Sequence, residues 1–334
     1  LKLLCKQGIF MKDLPHVIEL FARLPYAFFN VLPPIIFGFQ IPGLKWGLGP
    51  LWKKELFSHM DFFETFDVIH CAMPFNPLWT IIRGRPTVIE AQDSSFSVLK
   101  MRLVREGLKS GAFFNCASER IRTEYNKKWN SEEPNEKLFV SPCSFIDYTK
   151  TFVAPKEKII TFVGRLDQYT KNPEMFVKAI DRVAQVRNDF KVYMLGNGPL
   201  AKKIDHLIRI KGLQKIIIRR FDPCPQEVLS RSLIYVSLQQ YDNYHSQALM
   251  EAMACGCAIV SSDVGETWRL VSNDVGYRVP LKIDSFVDRL LYLLDNPDLA
   301  IRMGQLARSK IIEEHKISIY ANYLETLYEK AFRS

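Results

Sequence analysis

The sequence contains no Asp-x-Asp pair, no Gly-x-x-x-x-Gly-Lys-Ser/Thr loop and no Gly-x-Ser-x-Gly elbow. Metal-bound nucleotide chemistry and serine hydrolysis therefore lack support. Six histidines are dispersed with no His-Glu-x-x-His arrangement, and Cys255-Gly-Cys257 has no second Cys or His pair nearby. No metal site is expected on that pattern. Seven cysteines (Cys5, Cys71, Cys116, Cys143, Cys224, Cys255, Cys257) are odd in number and scattered. They read as reduced, buried thiols of a cytosolic protein rather than as a disulfide framework. No secretory leader pattern, internal repeat or low-complexity tract is present. One run, 25–44, carries no charge over the length of a membrane span. Its prolines at 25, 33, 34 and 42 break a continuous helix, so a buried or membrane-facing loop is expected there.

What is present is the composition of a folded, water-soluble chain, 48% hydrophobic and 24% charged over 334 residues. That length accommodates two domains of ordinary size. The formal net charge of +9 fits an anionic partner, whether a nucleotide, a nucleic acid or an acidic membrane surface. A merely soluble basic surface is the plainer alternative.

From Lys158 onward short β-branched runs ("KIITFVG", "FKVYML", "KIIIRRF", "LIYVSL", "CAIVSS") alternate with helical stretches. Such alternation predicts an α/β chain with a parallel sheet covered on both faces, whose ligands bind at the carboxyl ends of the strands. Asn172-Pro173 predicts the N-cap and first turn of a helix over "EMFVKAIDRVAQV". The first half repeats the pattern less cleanly through "FDVIHC", "RPTVIEA", "GAFFNCA" and "EKLFVSP". Domains are expected at 1–154 and 155–314, with a final amphipathic helix in 315–334.

Three motifs could carry chemistry. Gly196-Asn-Gly198-Pro-Leu-Ala201 fits the dinucleotide fingerprint, but no acidic residue follows where a ribose would be held, so a glycine turn near the cleft is the better reading. Gly164 and Arg165 end a predicted strand and Lys171 precedes a helix, a pattern equally suited to a diphosphate clamp or a solvated loop. In "HSQALMEAMACGCAIV", Ser246 and Gln247 lie near a helix start, and Glu251 is a lone carboxylate more than a turn inside. An ionised carboxylate among small and apolar residues is costly unless something binds it. That partner is either a ligand or a cation of the same domain.

Together, "FVGRLDQYTKN", "YMLGNGPL" and "LMEAMACGCAIVSSDVGETWRLV" resemble the signatures of the retaining glycosyltransferases of family 4, in order and spacing, over about 155 to 280. The resemblance implies a GT-B fold: two Rossmann-like parallel-sheet domains facing a central cleft, with the C-terminal helix returning to the first. It implies transfer of a sugar from a nucleotide-sugar donor to a glycan or lipid-linked acceptor, as in surface polysaccharide or glycoconjugate synthesis, without cofactor, metal or nucleic acid. By the same resemblance Arg165 and Lys171 neutralise the diphosphate and Glu251 receives the ribose hydroxyls. Gly164, Gly196, Gly198, Ser246, Gln247 and the loop glycine Gly265 complete the donor site, and Gln92 and Asp93 lie on the acceptor side. The chain departs from the family at Asn243, where a second Glu is usual, and at Gln92, where many members have His. Nothing in 1–30 matches the family's first strand and glycine-rich loop, so the first domain is expected to lack them or to begin upstream. A cytoplasmic protein, peripheral at the inner face of an anionic membrane, is the expected setting. The alternatives are a non-catalytic GT-B subunit that binds a nucleotide sugar or partner enzyme, and a GT-B epimerase.

Overall fold

The computed structural model describes residues 66–71, 86–91, 111–129, 136–144, 146–167, 170–242 and 244–334. They form two compact units. One holds Ala321–Ser334 with the described residues up to Ser141, and the other is Pro142–Tyr320. The uncharged run 25–44 and Cys5 lie outside the described residues. Among those described, no helix is long and apolar enough to cross a membrane.

In the first unit, β1 (Ile69–Cys71), β2 (Thr87–Ala91), β3 (Phe113–Cys116) and β4 (Leu138–Val140) form a parallel sheet in that order. Alternation along the strands serves two faces. Ile89 and Phe114 pack with Ile121 and Tyr125 of helix α1 (Glu119–Trp129), which Ser118 caps by accepting from Ile121 N at 3.3 Å. The neighbouring residues Val88 and Phe113 point the other way, onto Leu327 and Ala331 near the end of the chain. A partly buried polar network sews that last helix down. Tyr323 donates to Asn115 Oδ1 (2.6 Å), Asn115 donates to Glu90 Oε1 (2.7 Å), and His70 bridges Glu90 (2.8 Å) and Tyr328 (2.7 Å). Every member has a partner, which is what keeps such a network from costing stability.

In the second unit six parallel strands run in the order β10-β9-β8-β5-β6-β7. They are β5 (Glu157–Val163), β6 (Lys191–Leu195), β7 (Ile217–Arg220), β8 (Ser232–Ser237), β9 (Ala258–Ser262) and β10 (Gly276–Val279). β8 is buried at every position, as a central parallel strand must be when helices cover both faces. Ile234 and Val236 face one core with Phe176 and Ile180 of α2 (Pro173–Val186), Ile204 of α3 (Ala201–Ile210) and Leu290 of α6 (Ile283–Asp295). Tyr235 faces the other, with Leu229 of α4 (Gln226–Arg231), Met250 and Met253 of α5 (Gln247–Ala254), and Ala307 and Ile311 of α7 (Pro297–Glu314). Each fully buried Leu, Ile, Phe or Met contributes about 1.5–3 kcal/mol, so these two layers hold the sheet. Helix α8 (Ile317–Arg333) then carries the chain to the first unit.

One sequence expectation holds in position and another needs correction. Asn172 is the N-cap residue of α2 with Pro173 in the first turn, as expected, but it sits in the left-handed region (φ 44°) and its side chain makes no capping hydrogen bond, being used elsewhere. Cys116, Cys143, Cys255 and Cys257 are free and buried as expected, but Cys224 is exposed.

The loops leaving β5 and β6 touch backbone to backbone. Leu166 N donates to Asn197 O (3.0 Å) and Leu200 N to Leu166 O (3.0 Å). A Cβ on Gly196 would stand 1.9 Å from Gly164 O, and one on Gly198 2.6 Å from Leu166 O. Backbone cannot retreat as a flexible side chain can. We therefore expect Gly196→Ala to destabilise by about 3 kcal/mol, lowering the melting temperature by about 6–12 °C. Thermal unfolding checks this; a loss of less than about 2 °C contradicts the crossing.

Candidate active site

The second unit begins at β5, builds outward through β6 and β7, and returns to the other side of β5 with β8. The strand order thus reverses between β5 and β8. Loops leaving the carboxyl ends of those two strands diverge and leave a crevice, the usual ligand position on such a sheet. The β5 loop carries Gly164, Arg165 and Lys171, and the β8 loop leads into α5 with Ser246, Gln247 and Glu251. The strand order therefore brings most of the sequence-predicted donor residues to one edge.

Arg165 is exposed, whereas the Lys171 stem lies along Gly164, its Cε 3.1 Å from where a Cβ would stand. Burial pushes the Lys171 ammonium down to about 8, against the opposing pull of the Asp167 carboxylate. Gly196 and Gly198 sit one strand over, and their backbone crossing with 164–166 explains the need for glycine at both. They hold the cation-bearing loop in place.

Ser246 is the N-cap of α5, its hydroxyl accepting from Leu249 N at 3.4 Å. The opposite pole of this helix is covered by cations from other elements. Lys156 Nζ donates to Cys255 O (2.6 Å), and Arg308 donates to Ala254 O and to Thr151 O (2.8 Å). The carbonyl end is thereby satisfied, while the N–H end follows the carboxyl end of β8, at the sheet edge where an anion is favoured.

Glu251 is buried, at 8% exposure. Burial pushes its carboxyl up, and a 2.9 Å hydrogen bond from Gln247 Nε2 one turn earlier partly offsets that. The carboxylate is therefore not wholly without a partner, as the sequence suggested; Gln247 orients it. Neither Lys171 nor Glu251 makes an ion pair among the described residues.

A third loop, after β9, closes the edge. Asp242 Oδ1 accepts from Tyr244 N (3.0 Å) and from Glu266 N (2.9 Å), tying the β8 and β9 loops together. Gly265 has φ 53°, and a Cβ there would stand 2.3 Å from Asp242 Cγ, so only glycine fits against the tie.

Residues 147–310 match the sequence profile of the glycosyl transferases group 1 family. That segment belongs to the family. The poly(ribitol-phosphate) alpha-N-acetylglucosaminyltransferase of Staphylococcus aureus is 28% identical over 177 residues, 51% of this chain and 36% of that protein. The phosphatidyl-myo-inositol mannosyltransferase of Propionibacterium freudenreichii is 22% identical over 81% of this chain and 72% of its own. The crystal structure of Anabaena HepE in complex with UDP and glucose superposes with a TM-score of 0.72 at 15% identity, covering 84% of this chain and 83% of that one. The fold is GT-B. The chain spans only 36% and 46% of the lengths of the first two relatives it matches.

Within this group 1 glycosyltransferase segment Asn243 lies outside the described residues, as do Gln92 and Asp93 in the first unit. Among the described residues no cluster of three or more His, Cys, Asp or Glu could hold a metal ion. Sequence inspection missed His245. It sits in the left-handed region (φ 67°) immediately before the α5 cap, with Nε2 buried and without a hydrogen-bond partner among the described residues. Burial, then the neighbouring His315 and Arg269, hold its imidazole neutral, down to about 3. A histidine among dispersed histidines gave no signal of this.

The raised carboxyl of Glu251 makes a pH-dependent statement. A folded pKa above the unfolded one means that the folded state binds the proton more tightly, so ionisation costs stability above the folded value. That cost vanishes as pH falls towards 4.5, the ordinary value. We expect Glu251→Leu to raise the melting temperature of the unliganded protein at pH 7–8 by about 2–6 °C, and the gain to shrink towards pH 4.5. The exposed Gln247 amide regains water when its acceptor is removed. Melting curves of both proteins across pH check this; a large drop for the variant at pH 7 would mean that Glu251 is structural.

Proposed function

We propose that this chain is a retaining glycosyltransferase that moves a sugar from a nucleotide-sugar donor to a glycan or lipid-linked acceptor in surface glycoconjugate synthesis. One observation carries the reading: a partly buried cation and a buried carboxylate share the switch-point edge, and neither is neutralised by an ion pair among the described residues. A nucleoside diphosphate supplies what each lacks, anionic oxygens for Lys171 and Arg165 and ribose hydroxyls for Glu251.

The chemistry follows from charge. As the sugar leaves, negative charge grows on the diphosphate, and cations and backbone N–H groups already in place stabilise it without reorganising. Lys171, Arg165 and the start of α5 are such groups. Asn243 would offer an amide to the sugar where the family more often has a carboxylate, and Gln92 and Asp93 would meet the acceptor. No step here uses a metal or cofactor. The net charge of +9 and the uncharged run 25–44 support a peripheral place on the inner face of an anionic membrane. Asn243 favours one second reading, a GT-B subunit that binds the donor without catalysis. Release of nucleoside diphosphate on adding acceptor separates the two.

Binding tests the clamp directly, with UDP and uridine as probes. Arg165→Ala and Lys171→Ala should each weaken UDP binding about ten- to a hundred-fold, the worth of a charge-assisted contact, and leave uridine nearly unchanged. Equal losses for both ligands contradict the clamp.

The Lys171 titration adds an independent check. Binding that needs the ammonium is at full strength below its free pKa and weakens as the proton is lost. UDP affinity should hold between pH 7 and about 8, then fall, because Lys171 titrates near 8. Lys171→Arg should remove that limb, and uridine controls for titration of the base. A flat UDP profile in the parent protein would show that Lys171 does not meet the phosphates.

A further inference from the structure

The Lys171 ammonium is held by an amide. With Gln239 oriented so that both ends of its amide are satisfied, Oε1 accepts from Lys171 Nζ at 2.7 Å and the NH2 donates to Thr170 O at 2.9 Å. Gln239 is itself immobilised. Its side chain is buried (9% exposed), and its carbonyl accepts from Ser262 Oγ of β9 at 2.6 Å. The next residue repeats the stitch. Gln240 N donates to Thr170 O (3.2 Å), Gln240 Nε2 donates to Asn172 Oδ1 (2.8 Å), and Asn172 Nδ2 donates to Leu238 O (3.1 Å). This is why the Asn172 side chain makes no capping hydrogen bond although the residue keeps the N-cap position. Two successive glutamines at the end of β8 therefore fasten the β5 loop across the point where the strand order reverses.

We infer that Gln239 is a positioning residue that aims the Lys171 ammonium at the diphosphate while leaving its charge unneutralised. The inference rests on the clamp proposed above. A carboxylate at position 239 would hold the ammonium equally well in space, but it would compete with the phosphates for the same charge. The amide oxygen accepts the ammonium's hydrogen bond but carries no net charge, so the cation stays available. The other groups facing Lys171 fit this. Its stem lies on Gly164, Thr170 shares the Gln239 amide, and the charged neighbour is Asp167, whose Oδ1 accepts from Thr170 N (2.7 Å) and Oγ1 (2.8 Å).

Gln239→Glu and Gln239→Met separate position from charge. In each full-length protein the Lys171 side chain is titrated by NMR of the 15N-labelled ammonium, assigned with Lys171→Arg, and UDP affinity is measured at pH 7 and upward. Gln239→Glu should shift the Lys171 titration and the falling limb of UDP affinity upward by a pH unit or more, and weaken UDP binding at pH 7 about tenfold or more. Gln239→Met, without an acceptor, should shift the titration downward and also weaken UDP. A merely structural Gln239 would lower the melting temperature in both variants and leave the Lys171 titration where it was; that result overturns the inference whatever happens to UDP. If the titration moves as expected while UDP affinity ignores both variants, Lys171 is not at the phosphates. That result removes the clamp, and with it the role given to Gln239.

Discussion

The reversal of strand order between β5 and β8 is the constraint from which the site follows. Parallel strands place every outgoing loop at one edge, and only where neighbouring strands send their loops in opposite directions does a crevice open between them. The chain puts its cations on one lip, after β5, and its helix start and carboxylate on the other, after β8. The remaining architecture braces those lips. The Gly196–Gly198 turn holds the β5 loop from the β6 side by backbone contact, Gln239 and Gln240 hold it from the β8 side, and Asp242 ties the β8 loop to the β9 loop.

The charges at this edge differ from those elsewhere in the unit. Lys156 donates to the carbonyls of Ser230 and Cys255, Arg308 to those of Ala254 and Thr151, and Arg187 is shared between Asp189 and Asp295. Lys171 has a neutral amide, and Glu251 has a neutral amide from Gln247. Amides orient an ion while leaving its charge to act on something else. The cost is that both ions are partly desolvated with only partial compensation, from Asp167 for Lys171 and Gln247 for Glu251, which shifts both pKa values toward the neutral forms. Sites of this kind commonly give up stability for function.

Much of this was legible in the sequence because it depends on local pattern. β-branched runs between amphipathic stretches mark the strands, Ser246 marks a helix start, and Glu251 stands out as a charge among small and apolar neighbours. The rest depends on tertiary neighbours. "QQYDN" reads as a polar loop, and nothing in it shows that Gln239 meets Lys171 or that Asp242 meets Gly265. Gly196 and Gly198 read as a glycine turn near the cleft, but nothing local shows that the turn presses against the backbone of 164–166. Asn172 reads as the N-cap and is one, but its side chain is claimed by Leu238 and Gln240, just after β8, rather than by the helix. In the first unit His70, Glu90 and Asn115 gave no signal, since they meet one another only across β1, β2 and β3 and are joined by tyrosines of α8.

The most direct test of the central claim is the crystal structure of the protein with UDP. The account places the diphosphate oxygens about 3 Å from Lys171 Nζ and within reach of Arg165, with the ribose hydroxyls donating to Glu251. Nucleotide bound at another edge of the sheet, or at this edge with its ribose away from Glu251 and its phosphates away from Lys171, would contradict it.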